Sequence, residues 1–214
     1  MDDISLHLDN CSAMEVSQSV GPYLRGYLRD RGRSQHGLGL LLCLDSYIII
    51  RAGDVRGTNS LLQQMDTFLS ISVELDGIYG DAIGRTALDL IAHVPGEEVV
   101  YFKPVGNSST MENISTRFPN LRALTFDHAS LHTMFPEPDL GRDKETLLSL
   151  QRVSFKRLIV DDGDWRPLVT FLARRESNGN RLDALEILDS RPMSREVVEV
   201  VKDMVGELLV DRQD

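Results

Sequence analysis

The sequence predicts an α/β chain, a curved and mostly parallel sheet with helices on its convex side. Three observations lead there. Between Phe118 and Leu131 the apolar residues Leu121, Leu124, Phe126 and Leu131 follow the L-x-x-L-x-L-x-x-x-x-L spacing of a leucine-rich repeat, whose short strand points its apolar side chains into a stacked core. The offsets return at Leu150, Val153 and Phe155 and at Leu182, Leu185 and Ile187, and the intervals are 150 − 121 = 29 and 182 − 150 = 32 residues. Intervals of that length leave room for a helical return leg, which suits parallel neighbours. Strand-like and helix-like segments also alternate along the chain, and most strands alternate apolar with polar residues, the pattern of one packed and one open face. A doubly wound sheet would show near-continuous apolar strands and often a glycine-rich first turn. The expectation is a single leucine-rich-repeat-like solenoid domain over 1–214, with about six to seven irregular repeats.

The elements follow in order. Ile4, Leu6 and Leu8 alternate with polar residues and predict a first strand over 4–8. A helix from about Ala13 carries Met14, Val20, Leu24, Tyr27 and Leu28 at helical spacing, with Gly21-Pro22 expected to break or kink it and Gly32 to end it. Residues 38–44 are a second strand and 47–50 a further extended piece, while the Gly, Asp and Asn content of 51–60 predicts a loop. A third strand over 69–75 precedes a helix from Asp81 that ends at Pro95-Gly96, and 99–102 form the fourth strand. A short helix over 111–117 leads into the fifth strand, the Leu121–Phe126 motif, and 135–141 is a Pro- and Asp-rich loop. The sixth strand covers 150–158. A helix from Asp164-Trp165 ends before Gly179, the motif returns at Leu182, and a last helix runs from Ser194 to about Leu209, with Ser194 as its N-cap.

Composition narrows the function. The 214 residues are 42% hydrophobic, enough for a core, and the formal charge of −10 disfavours nucleic acid, whose phosphates draw on clustered Lys and Arg. The basic run from Arg25 through Arg29 and Arg31 to Arg33 reads as the solvated end of a helix. Cys11 and Cys43 are too few for a disulfide framework or a zinc site, so a reducing, intracellular compartment is expected, cytoplasmic or nuclear. The N-terminus lacks a basic region followed by an apolar one, and no 18-residue apolar run spans a bilayer, so no membrane partner is expected. Asn107 and Asn113, each followed by x-Ser, are then chance matches to a glycosylation signal.

No G-x-S-x-G, G-x-x-x-x-G-K-[ST] or G-x-G-x-x-G motif occurs, and no nucleophile and base stand out as a pair, so the chain is not read as an enzyme and no cofactor is expected. His128 and His132 are four apart, but without the Glu of H-E-x-x-H they read as loop histidines. Asp161-Asp162-Gly163-Asp164 lacks the ligand pattern of a calcium loop; an Asp there is expected to cap the following helix. No metal site is predicted.

One constellation follows from the register. Residues beside the inward pair face the open side of the sheet. The position after the second core residue gives Glu74, Lys103, Asp127 and Lys156, alternating in sign, which would attract one another if the strands neighbour in sequence order. The companion row is Ser72, Tyr101, Thr125, Ser154 and Glu186, polar with one aromatic. Together these nine residues form the candidate partner-binding concave face, with Tyr101 as the expected hot spot. A self-satisfied ladder on a structural sheet is the alternative.

The segments Phe118-Pro-Asn-Leu-Arg-Ala-Leu-Thr-Phe126, Phe135-Pro-Glu-Pro-Asp-Leu140, Asp161-Asp-Gly-Asp-Trp-Arg-Pro-Leu-Val-Thr-Phe-Leu-Ala-Arg-Arg175 and Gly179-Asn-Arg-Leu-Asp-Ala-Leu-Glu-Ile187 carry a resemblance, with weaker echoes at 51–54 and 97–102. They resemble the leucine-rich-repeat region of fungal F-box proteins. The resemblance implies a non-enzymatic adaptor whose repeats present a protein-binding surface, while an F-box docks on the Skp1 arm of a cullin ubiquitin ligase. No F-box of about forty residues with a Leu-Pro-x-Glu-like start precedes these repeats, so Skp1 docking is not carried over. The expected function is a protein-interaction module resembling the substrate-recognition portion of an F-box ubiquitin-ligase adaptor, its partner unidentified. The alternatives are a structural repeat protein or diverged fragment without a ligase role and, third, a small-ligand α/β enzyme.

Overall fold

A computed structural model describes residues 2–9, 13–31, 37–44, 47–56, 64–76, 86–87, 89–105, 114, 116–135 and 147–211. The chain is α/β, and its contacts divide it into two compact units, Met1–Ser108 and Ser109–Asp214.

The N-terminal unit holds strands β1 (Asp2–Asp9), β2 (Leu38–Leu44), β3 (Tyr47–Arg56), β4 (Gln64–Asp76) and β5 (Val99–Val105), and helix α1 (Ala13–Asp30). Its sheet order is β1-β4-β3-β2-β5. β1 lies parallel to β4 and β2 to β5, while β3 runs antiparallel to both β2 and β4. Only two residues separate β2 from β3, too few for a crossover, so the apolar runs on either side fold into a hairpin. Leu42, Ile50 and Ile71 stand opposite one another and are buried, as are Leu40, Ala52 and Leu69 in the adjacent row.

Several expectations are corrected here. β3 extends to Arg56, so residues 51–56 are strand and not loop. The ladder shifts register between Ala52 and Gly53, and a Cβ on Gly53 would lie 2.5 Å from the Asp66 carbonyl oxygen, so glycine admits the close approach. α1 runs unbroken through Pro22. The residue before a proline is normally forced out of the helical region by a clash with its Cβ, and Gly21 has none. That bare backbone also receives the His93 ring, whose Nε2 lies 3.2 Å from the Ser17 hydroxyl and whose Nδ1 lies 3.1 Å from Arg25 Nη2. The basic run is partly engaged as well: the Arg31 guanidinium covers the Phe68 ring at 3.6 Å and pairs with Asp54 at 3.6 Å.

The C-terminal unit holds β6 (Ala123–Asp127), α2 (Leu131–Met134), β7 (Arg152–Lys156), α3 (Arg166–Ser177), β8 (Leu182–Leu188), α4 (Arg195–Met204) and β9 (Val205–Val210). Strands β6, β7, β8 and β9 are parallel and stand in sequence order. Leu124 and Phe126, Val153 and Phe155, and Leu185 and Ile187 are buried on one face, as the motif predicts. The Phe126 and Phe155 rings stack at 5.8 Å, and Phe135 meets Phe155 edge-on at 6.2 Å. Trp165, Leu168 and Leu172 of the α3 segment are also buried.

The repeat is written in the backbone too. His128, Arg157 and Asp189, each the residue after a strand, have φ of 59, 51 and 49°. Their spacings, 157 − 128 = 29 and 189 − 157 = 32, are those of the sequence motif. Left-handed backbone disfavours residues with a Cβ by about 1–2 kcal/mol. A tie to the next strand accompanies the turn in two cases: His128 N–H donates to the Lys156 carbonyl at 2.9 Å and Arg157 N–H to the Leu188 carbonyl at 3.0 Å.

Two boundaries differ from expectation. The sixth predicted strand is confined to Arg152–Lys156, and the last helix stops at Met204, with Val205 to Val210 forming β9. Val201, Val205 and Leu209 imitate helical spacing, but Gly206 weakens a helix at that point and, as a strand residue, approaches the Asp183 carbonyl to 2.5 Å from where a Cβ would stand. Ser194 caps α4 as expected, its hydroxyl accepting from the Val197 N–H at 3.3 Å. The start of the helix at Asp81, most of 111–117, residues 136–141, Cys11, Asn107 and Asn113 lie outside the described residues. No helix among the described residues is long and apolar enough to cross a membrane.

Candidate functional site

The nine predicted residues divide between the units. In the N-terminal sheet, Ser72 and Glu74 lie on β4, and Tyr101 and Lys103 on β5. β3 and β2 separate those strands, so the neighbour relation expected between Glu74 and Lys103 does not form. Glu74 stands opposite His7 and Tyr47, and Lys103 opposite Leu41. The reason is the β2–β3 hairpin, which inserts two strands where sequence order would have placed none. Tyr101 is 7% exposed and stands opposite Gly39; it is a buried residue and not the exposed aromatic expected there.

In the C-terminal sheet the register holds. Thr125 stands opposite Ser154, and Ser154 opposite Glu186; Asp127 stands opposite Lys156. All of these share the face turned away from Phe126 and Phe155, because successive side chains alternate across a strand. That face is less open than expected: Thr125, Ser154 and Glu186 are 4, 3 and 2% exposed, and Ala123 and Ala184 are also buried. The Ser154 hydroxyl donates to Glu186 Oε2 at 2.6 Å, holding the carboxyl group at the sheet.

The face thus has the buried Ala123, Thr125, Ser154, Ala184 and Glu186 at its centre and a charged, partly exposed border. Arg157, absent from the predicted set, belongs to that border: its Nε and Nη2 donate to Asp127 Oδ1 at 2.9 and 2.5 Å. It escapes the alternation rule because its φ is 51°, which turns a residue just past the strand back toward its neighbour. The signal available was position alone, the residue following each strand.

No known family model, curated protein or solved structure matches this chain.

Ser154→Ala is expected to lower stability by about 1–3 kcal/mol, the cost of leaving a buried acceptor without its donor. Replacing both partners, as Ser154→Ala with Glu186→Leu, is expected to recover much of that loss, and urea unfolding of the four proteins in a double-mutant cycle measures the coupling.

Before α3, Asp164 accepts from Arg166 through the backbone N–H at 3.0 Å and the side-chain Nε and Nη2 at 2.8 and 2.6 Å; the N-cap position itself is Trp165, which makes no side-chain cap bond, so the expected Asp cap is replaced by these bonds to the residue before it. Those hydrogen bonds, the side-chain ones first, hold its carboxyl at about 2, below the usual carboxylate value. A depressed folded-state pKa stabilises above the unfolded value and loses that contribution as pH falls. The stability difference between wild type and Asp164→Asn is thus expected to shrink from about pH 5 to about pH 2, followed by urea midpoints across that range. Among the described residues no three His, Cys, Asp or Glu side chains are grouped as a metal site would need.

Proposed function

We propose that the chain is a non-enzymatic protein-interaction module, folded in the manner of a leucine-rich-repeat solenoid and resembling the recognition portion of an F-box-type ubiquitin-ligase adaptor. The observation that carries this is the recurrence of strand and left-handed turn at the same two intervals, 29 and 32 residues, in parallel strands β6 to β8. A repeat stack of this kind sets equivalent side chains in rows about 4.8 Å apart, a surface suited to an extended or helical partner segment. Supporting it, Arg152, Lys156, Asp127 and Arg157 form a charged, partly exposed border on this face, and Arg is favoured in protein interfaces.

The test is crosslinking capture from cell extract with a photoreactive residue at position 156, comparing the otherwise wild-type chain with Arg152→Glu added. A discrete protein adduct that disappears in the folded Arg152→Glu protein is expected. Retention of every adduct in that variant, with its urea midpoint unchanged, removes the reading. A second reading, a structural stack without a ligand, rests on the Ser154–Glu186 and Asp127–Arg157 bonds, which satisfy polar groups of the face internally; absence of any adduct favours it.

A further inference from the structure

We propose that β9 is a second docking surface, distinct from the sheet face, and that it takes an extended partner segment alternating basic with apolar residues. Among the described residues β9 pairs with β8 alone, so one edge of the strand is unpaired. The Asp211 N–H donates to the Ile187 carbonyl, which fixes the alternation: odd-numbered residues turn their backbone groups toward β8, and Gly206, Leu208 and Val210 turn theirs outward. Three successive outward positions offer N–H and C=O groups to an added strand, the mode of β-augmentation.

Natural edge strands are commonly blunted by lysine, proline or a bulge. β9 has none of these: it reads Val-Gly-Glu-Leu-Leu-Val and keeps one register with β8. Its two faces set the partner's chemistry. Leu208 and Val210 lie in register with Leu185 and Ile187, on the apolar face of the sheet, and are half-buried. Glu207 and Leu209 lie on the opposite face and are exposed. Along 195–211 the sequence carries five acids, Glu196, Glu199, Asp203, Glu207 and Asp211, against two bases, Arg195 and Lys202, and all seven are exposed. An added strand therefore meets Leu208 and Val210 on one face and the exposed Glu207 carboxylate on the other, within a stretch whose exposed charges are mostly acidic. A second copy of this edge would bring two Glu207 carboxylates to one border, so a basic heterologous segment fits better than self-association.

The probe is a fluorescent heptapeptide alternating lysine and valine, titrated against the full chain by anisotropy, with a glutamate–valine version and a backbone N-methylated lysine–valine version as controls. Binding of the lysine peptide, its loss in both controls, and slowed amide exchange at Gly206, Leu208 and Val210 are expected. Glu207→Lys is expected to weaken it about tenfold, since a cross-strand attraction becomes a repulsion. Leu208→Pro, which removes an outward N–H along with the leucine side chain but no group that bonds β8, should abolish binding while β8 pairing is kept; Glu207→Lys carries the test if that variant does not fold. Equal binding of the N-methylated or acidic peptide, protection elsewhere on the chain, or a concentration-dependent dimer that protects β9 without peptide would overturn the proposal.

Discussion

Arg175→Met is expected to lower the unfolding free energy by about 2–4 kcal/mol. Arg175 is buried on α3, and its Nη1 and Nη2 donate to the carbonyls of Leu147 and Leu150 at 2.8 and 2.7 Å. These bonds hold the turn that precedes β7, where Leu147 adopts φ of 59° and its carbonyl also accepts the Leu150 N–H. Hydrogen bonds from an ionised donor are worth about 1.5–3 kcal/mol each. Burial pushes the guanidinium pKa down, the sign of a desolvation cost that methionine would relieve, and this reduces the net loss. Trp165, the one tryptophan of the chain, lies buried in the same unit, so its fluorescence during urea unfolding reports on this region. A loss under about 1 kcal/mol would mean that the guanidinium does not hold the turn.

Phe155→Ala is expected to cost about 3–5 kcal/mol, the range for removing a buried aromatic ring. Phe155 is fully buried between Phe126, stacked at 5.8 Å, and Phe135, edge-on at 6.2 Å, and Phe135 in turn meets Phe171 at 4.6 Å. Its removal opens a cavity among three strands and α3, and also forfeits two aromatic contacts worth about 0.5–1.5 kcal/mol each beyond area. Phe155→Leu, which fills most of the space, should lose less than half as much. Equal losses in the two variants, measured by the same tryptophan signal, would contradict a packed aromatic column.

The C-terminal unit was legible because the same apolar offsets return in each repeat, 29 and then 32 residues on, and shared offsets align the strands in order and register. Thr125, Ser154 and Glu186 fall in one row for that reason, and the hydroxyl–carboxyl bond between the last two follows from it. Alternation, however, says which face a residue takes and not how deeply it sits: Glu186, a charged side chain on the polar face, is 2% exposed. The N-terminal order was not legible from alternation either. A chain of apolar strands without a common interval can pair in several orders, and the signal that decides this one is the two-residue gap between Leu44 and Tyr47, a hairpin length. The end of α4 escaped because valines serve helix and strand alike, and Gly206 decides by what it lacks.

The left-handed turns after β6 and β7 are anchored outside their own loops, His128 to the strand that follows and Arg157 to the one after that. Strand and turn are thus tied to the neighbouring strand as one unit, and the difference in repeat length falls between one turn and the next strand. The three residues by which the second interval exceeds the first were absorbed there without moving a single strand partner. Variation in this fold is thereby partitioned: insertions belong to the return legs, and point substitutions on β6, β7 and β8 can change what the sheet face presents while its geometry stays fixed.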